Sequence, residues 1–335
     1  MGITIKKIAT DLGLAVSTVS KALGDSHEIS QDTKKRVLEY VKKLDYVPNA
    51  NASSLKKRKT GNIAVVVPEV ADSYFSTAIN GIEAVAQIKG YHVIIYITHE
   101  DQLKEQSILQ QFKSGRVDGV LMSASSGKKV TSHVQELLAS KIPLVFFDRV
   151  CDDVKVPMVL TNDFDSSYRA TELLIRKGCR GIAFLQMSEN LHIIQERLNG
   201  YKKALQDNRI KTKKEYIVRC TSQDTLNHPL IKKLLTLDNP PQGIVGSTEK
   251  LSTLSYTVCY ELGLRIPADI KVVGFSSMGI ASLLNPSLTT VTQPAFEMGK
   301  AAATILFKLL NGKKIEVEDQ KIVLASTLYE RASTG

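Results

Sequence analysis

The chain contains no tryptophan, no low-complexity tract and no apolar run long enough to span a membrane. Its first residues, MGITIKKIAT, lack the apolar core of an export signal, so a cytoplasmic location is expected. Cysteine is scarce: Cys151, Cys179, Cys220 and Cys259 are scattered, with no CxxC pair and no histidines at metal-ligand spacing. They read as reduced, buried thiols, and no metal is expected. The phosphate-cradling patterns GxGxxG and GxxxxGK[ST] are missing, as are the GxSxG elbow and the HExxH helix. The six histidines form no triad or ligand spacing. Neither a cofactor nor a catalytic residue is expected, and the chain reads as a non-enzyme.

What is present is unevenly placed. Of the formal net charge of +10, residues 1–60 hold +6, from twelve Lys/Arg and six acids, which suits a polyanionic partner such as nucleic acid. Within that segment Ile5, Ile8, Ala9 and Leu12 recur at helical spacing behind Thr4, a capping residue. Gly13 can supply a sharp turn. Val16, Val19, Ala22 and Leu23 then form a second apolar face, which leaves Ser17, Thr18, Ser20 and Lys21 outside it. Short polar side chains and one long cation suit a helix lying in the DNA major groove, although an ordinary helical hairpin would share the pattern. A third helix starts at Ser30, carries Asp32 in its first turn, and presents Val37, Leu38, Val41 and Leu44 as its apolar face. Pro48 ends it. The small-residue stretch 50–55 follows, ending in Leu55, and then Lys56-Lys57-Arg58-Lys59. Small side chains allow close approach to a narrow groove, a lone leucine can wedge between base steps, and the basic run suits phosphates.

The pieces TIKKIATDLGLAVSTVSKAL, HEISQDTKKRVLEYVKKLDYVPN and ANASSLKKRKTG together resemble the headpiece and hinge of the lactose-repressor/galactose-repressor (LacI/GalR) family. The resemblance implies a transcriptional regulator, by family default a repressor, that acts as a homodimer on a near-palindromic operator. The candidate DNA-contacting residues are Thr4, Val16, Ser17, Thr18, Lys21, Asn49, Ala52, Ser53, Leu55 and Lys56. By resemblance Val16, Ser17 and Lys21 face base edges, and Leu55 is the minor-groove wedge beside Ala52. Two positions depart from the pattern: Ala15 stands where a capping serine is common, and Gly24 where asparagine is usual.

From Asn62 onward short apolar runs alternate with amphipathic stretches. The runs are 63–68, 92–97, 119–124, 143–148, 158–162, 181–186, 216–220, 243–247 and 270–275. Their near-continuous apolarity predicts strands buried on both faces of parallel sheets, joined by right-handed helical crossovers. The expected fold class is α/β: a small all-α helix-turn-helix headpiece and a two-lobed core of doubly wound parallel sheets. By resemblance the core is like the periplasmic sugar-binding proteins. The expected domains are a headpiece over 1–48, a hinge helix and linker over 49–61, and an effector-binding and dimerisation core over 62–335. Lobe 1 is expected at about 62–161 plus 293–320, and lobe 2 at about 162–292 plus 321–331. The lobes would be joined by crossovers near 161–163, 292–293 and 320–321.

Ligands in open α/β sheets bind beyond the carboxyl ends of the strands, which two facing lobes would turn into a cleft. Candidate effector-binding residues there are Tyr74, Phe75, Ser123, Asp148, Arg149, Arg197, Glu249 and Ser276. Aromatic walls with hydrogen-bonding charges suit a small polyhydroxylated or carboxylated molecule. Arg197, in QERLNGY, matches the family's effector-contacting arginine. Ser276 and Glu249 depart from the residues usual in the family, so a simple sugar does not carry over directly. The expected function is a transcriptional regulator whose operator affinity is set by a small molecule held between the lobes. The alternatives are an exported solute-binding protein and an α/β enzyme without a recognised motif.

Overall fold

The computed structural model describes residues 3–46, 59–125, 132–151, 153–188 and 191–335. The chain divides into two compact units, residues 1–60 and 61–335.

Among the described residues the first unit is a cluster of three helices. Helix α1 (Ile5–Leu12) begins at Thr4, whose hydroxyl accepts from Lys7 N at 3.4 Å, and ends at Gly13 with φ 64°. Helix α2 (Val16–Leu23) follows at once, and Ala15 gives it no side-chain cap. Helix α3 (Gln31–Lys43) is capped by Ser30, which accepts from Thr33 N. Ile8, Ala9, Leu12, Val19, Ala22 and Val37 make the buried core. Two expected core positions prove exposed. Leu38 is 51% exposed, because it lies one residue round the helix from Val37; the real face continues through Tyr40, Val41 and Leu44. Val16 is 42% exposed, since the first residue of α2 projects beyond the three-helix contact. Polar ties close the cluster: Arg36 donates to the Leu12 carbonyl at 2.8 Å, satisfying an orphan acceptor at the end of α1, and Tyr40 bonds Asp11 at 2.9 Å.

The second unit holds two six-stranded sheets. The first runs in the order β2 (His92–Ile97), β1 (Asn62–Val67), β3 (Gly119–Met122), β4 (Leu144–Phe147), β5 (Met158–Thr161), β11 (Lys321–Leu324), with all strands parallel. The second repeats this plan: β7 (Ile217–Arg219), β6 (Ile182–Gln186), β8 (Gly243–Gly246), β9 (Lys271–Phe275), β10 (Thr289–Thr292), and an antiparallel edge, β12 (Thr327–Tyr329). The inner strands are buried along their length, as their apolar runs predict. The run 92–97 departs from that expectation: it is an edge strand with Ile95 exposed.

The boundary of the third crossover also differs. Lys321–Leu324 pairs with β5 in the first sheet, so the chain passes between lobes at 325–326 and not at 320–321. The other two passages fall at 162 and 293. Strands β10, β11 and β12 are short and rich in threonine or alternating, which leaves no apolar run to announce them.

Each lobe has a helix pair in backbone contact. Helix α4 (Ser73–Ile88) meets α11 (Ala295–Leu310) where Gly299 faces the Ala78 carbonyl; a Cβ there would stand 2.0 Å from that oxygen. Helices α7 (Asp163–Arg176) and α8 (His192–Asp207) meet in the same way at Gly200, where a Cβ would stand 2.1 Å from the Phe164 carbonyl. Further helices are α5 (Gln102–Phe112), α6 (Ser132–Ala139), α9 (Asp224–Leu235) and α10 (Glu249–Glu261). Among the described residues no helix is long and apolar enough to cross a membrane.

Candidate functional site

On the first unit, α2 turns Val16 and Ser17 outward, with Thr18 and Lys21 half-buried on the same helix, while Thr4 is exposed at the start of α1. Lys21 Nζ is paired with Glu28 in the loop before α3. Lys34 is buried and anchors that loop by donating to the Asp25 carboxylate at 2.7 Å. Asn49, Ala52, Ser53, Leu55 and Lys56 lie outside the described residues.

On the second unit, the carboxyl ends of both sheets face one another across a cleft with two connected chambers. The outer cavity, about 260 Å³, is lined from the first lobe by Glu69, Asp72, Phe75, His99, Glu100 and Arg149, and from the second by Met187, Ser222, Thr248 and Lys250. The inner one, about 40 Å³, brings together Tyr74, Phe75, Asp148, Arg149, Arg197, Glu249 and Ser276 with Asp72, Thr248 and Gln293. Seven of the eight expected effector residues therefore meet. Ser123 does not: it is fully buried behind β3, and its amide bonds the Val66 carbonyl at 2.9 Å. A place just after a strand does not by itself decide whether a side chain reaches the cleft.

Arg197 is the best-held group. From α8 its Nε donates to Asp163 at 2.6 Å and its Nη1 to the Ser247 carbonyl at 2.7 Å. The guanidinium lies 4.0 Å from the centre of the Phe275 ring, a cation–π contact. Its Nη2 is buried without a partner. Arg149 is organised similarly: Nη1 donates to both Glu100 oxygens at 2.7 and 2.9 Å, the charge sits 5.6 Å from the Phe75 ring, and Nε is buried without a partner. Thr248 Oγ1 is likewise unpartnered. Buried donors seldom stay unsatisfied. Three of them around one cleft suit oxygen acceptors on a ligand.

Carboxylates complete the lining. Asp148 has φ 62°, a left-handed conformation that a non-glycine residue holds only when its surroundings impose it. Burial raises its carboxyl from the ordinary 3.8 to about 6, with Arg149 and Arg197 pulling the other way. Gln293, on the second passage between lobes, donates to Asp148 at 3.2 Å and to Thr161 at 3.3 Å, tying the cleft floor to the first passage. Asp72 caps α4 through Tyr74 N at 2.8 Å, and burial, opposed by that bond, raises its carboxyl. Glu249, first residue of α10, accepts from Ser73 at 2.5 Å and from Ser276 at 2.6 Å, thereby joining the lobes. Lys250 reaches across to Glu69 at 2.6 Å. The Tyr74 hydroxyl is engaged with Met298 Sδ at 3.2 Å.

Glu69, His99, Glu100, Lys250 and Gln293 were not among the sequence candidates. His99 and Glu100 follow β2, so the rule of carboxyl ends could have found them. Gln293 was legible only as a passage between lobes. Among the described residues no cluster of His, Cys, Asp or Glu could hold a metal ion.

Known proteins agree with this organisation. Residues 60–330 match the profile of periplasmic binding proteins and the sugar binding domain of the LacI family, and residues 4–49 match that of bacterial regulatory proteins of the lacI family. The HTH-type transcriptional regulator RegA of Clostridium saccharobutylicum is 32% identical over the full length of both chains. Catabolite control protein A of Priestia megaterium is 28% identical, again over 100% of each. A crystal structure of the lac repressor dimer bound to operator and the anti-inducer ONPF superposes with TM-score 0.85 at 21% identity, covering 100% of this chain and 99% of that one. At that identity the likeness speaks for fold alone. The chain belongs to the LacI family of bacterial regulatory proteins, and it is a DNA-binding transcriptional regulator, not an enzyme.

Proposed function

We propose that this regulator acts as a homodimeric repressor on a near-palindromic operator and changes its affinity when a small polyhydroxylated molecule enters the inter-lobe cleft. The observation that carries the effector half is Arg197: it is fixed on three sides, yet keeps one buried N–H unpaired beside the cleft. Val16, Ser17 and Lys21 reach base edges, with Thr4 and Thr18 beside them. Asn49, Ala52, Ser53, Leu55 and Lys56 contact the minor groove and phosphates at the centre of the site. Glu28 must release Lys21 for that contact to form.

A second copy fits the apolar surface of lobe 2, where Tyr260, Ile280 and Leu283 are exposed. Tyr256, one turn from Tyr260, bonds the Pro286 carbonyl at 3.0 Å and so ties α10 to that turn. The lac repressor structure of the same fold is a dimer, which supports a homodimer here. Three chain passages link the lobes, so an effector that changes their angle would change the separation of the paired headpieces. Such coupling is typically ~1–3 kcal/mol.

Selection of bound duplexes from a random library tests the reading. A palindromic consensus whose affinity shifts with a sugar supports it; enrichment of single half-sites would rule out the dimer. Leu55→Ala should weaken operator binding and leave effector binding intact, and equal losses in both would remove the wedge role.

A further inference from the structure

We propose that Glu249 makes the cleft selective for an uncharged polyhydroxylated ligand and bars the phosphorylated or carboxylated forms of the same molecule. This rests on the reading of the cleft as the effector site.

The charges around the two cavities do not balance. Arg149 is matched by Glu100 at 2.7 Å, Arg197 by Asp163 at 2.6 Å and Lys250 by Glu69 at 2.6 Å. Asp72, Asp148 and Glu249 line the inner cavity in addition, and Asp148 merely shares Arg149, at 3.8 Å. The cations are thus already neutralised, and an entering anion would meet the surplus carboxylates at short range. His99 stands at the outer rim.

Glu249 is the surplus carboxylate held by both lobes. Ser73 from one and Ser276 from the other donate to the same oxygen, Oε2. A ligand hydroxyl can replace either serine one for one, since it also brings a proton. A phosphate or carboxylate oxygen brings none and adds like charge. Arg149 Nε, Arg197 Nη2 and Thr248 Oγ1, none of which makes a hydrogen bond, supply the complementary half. Each hydroxyl can then accept from one of them while donating to a carboxylate. That pattern is met by a neutral polyol.

The test is titration calorimetry on the full-length protein at one neutral pH and ionic strength. The probes are pentoses, hexoses and disaccharides, each paired with its sugar phosphate or uronic acid. We expect a neutral member to bind at least about tenfold more tightly than its anionic partner. Thr248→Val, which breaks no side-chain hydrogen bond of the free protein, should weaken that binding and so locate it in the cleft. Glu249→Gln should narrow the gap about tenfold, while an unchanged gap would overturn the role of Glu249. An anionic partner that binds wild type as tightly as the neutral one overturns the inference with no variant needed, and leaves the effector site standing. Binding by no probe removes the effector site and the inference together.

Discussion

In Asp148 a buried carboxyl, a left-handed backbone and an amide from the passage between lobes meet at one residue. Its folded-state value, about 6, lies above the ordinary 3.8, so the protonated form is the one the fold favours. The sign follows: stability associated with this group is full below pH 3.8 and is lost as pH rises through about 6. Asp148→Asn removes the penalty and keeps a residue type that tolerates positive φ. Denaturant unfolding at neutral pH should find the variant more stable, by up to about 3 kcal/mol, with the difference vanishing toward pH 4. A variant less stable at every pH would show that the carboxylate is needed for packing. Arg197→Ala should act in the opposite direction, because it leaves Asp163 buried with its cation gone and only the Thr161 hydroxyl, at 2.8 Å, as partner. A loss of about 3–5 kcal/mol is expected in the same assay, together with loss of any effector response.

Among the helices, the local signals differ in how completely they are used. Thr4 and Ser30 cap α1 and α3, but Ala15 leaves the first turn of α2 without a side-chain partner. Its backbone, φ −69° and ψ 146°, already suits a cap. Ala15→Ser should therefore stabilise α2 by about 1 kcal/mol, seen as slower amide hydrogen exchange in that helix. The helix pairs of the core are less forgiving. Gly299→Ala would place a methyl group 2.0 Å from the Ala78 carbonyl, which only separation of α4 and α11 could relieve. Overpacking of this kind costs about 1–3 kcal/mol and should appear as a lowered thermal midpoint. The affected α4 begins at Asp72 and Ser73, so effector affinity should fall as well.

At the scale of the whole protein, three passages join the two lobes, and the homodimer proposed above would couple the cleft to the operator. Tyr260→Asp combined with Leu283→Asp puts charge on the surface proposed for the second copy. Sedimentation should then show a dissociation constant raised at least about tenfold, with operator affinity falling in parallel. A dimer unaffected by both changes would move the interface elsewhere. The passages also explain why Gln293 matters: from one of them it bonds both Asp148 and Thr161, so a rotation of the lobes cannot leave the cleft floor undisturbed.

The headpiece and the alternating core were legible in order of residues because their signals are local. Capping by Thr4 and Ser30, the turn at Gly13 and the apolar runs of the inner strands each act within a few residues. Leu38 and Val16 were misplaced since neighbouring apolar residues cannot all face one core, and which of them does so depends on where the third helix packs. Strand β11 falls in the other lobe from the one expected because edge pairing is chosen by a neighbour 163 residues away in sequence, Met158–Thr161, and not by its own pattern. The burial of Ser123, the joint hold of Ser73 and Ser276 on Glu249, and the unpaired N–H of Arg197 all arise where distant segments converge. Residue types nominated most of the cleft. Its charge balance and its free donors exist only once both sheets face each other, since a carboxylate's partner is settled by distance in space.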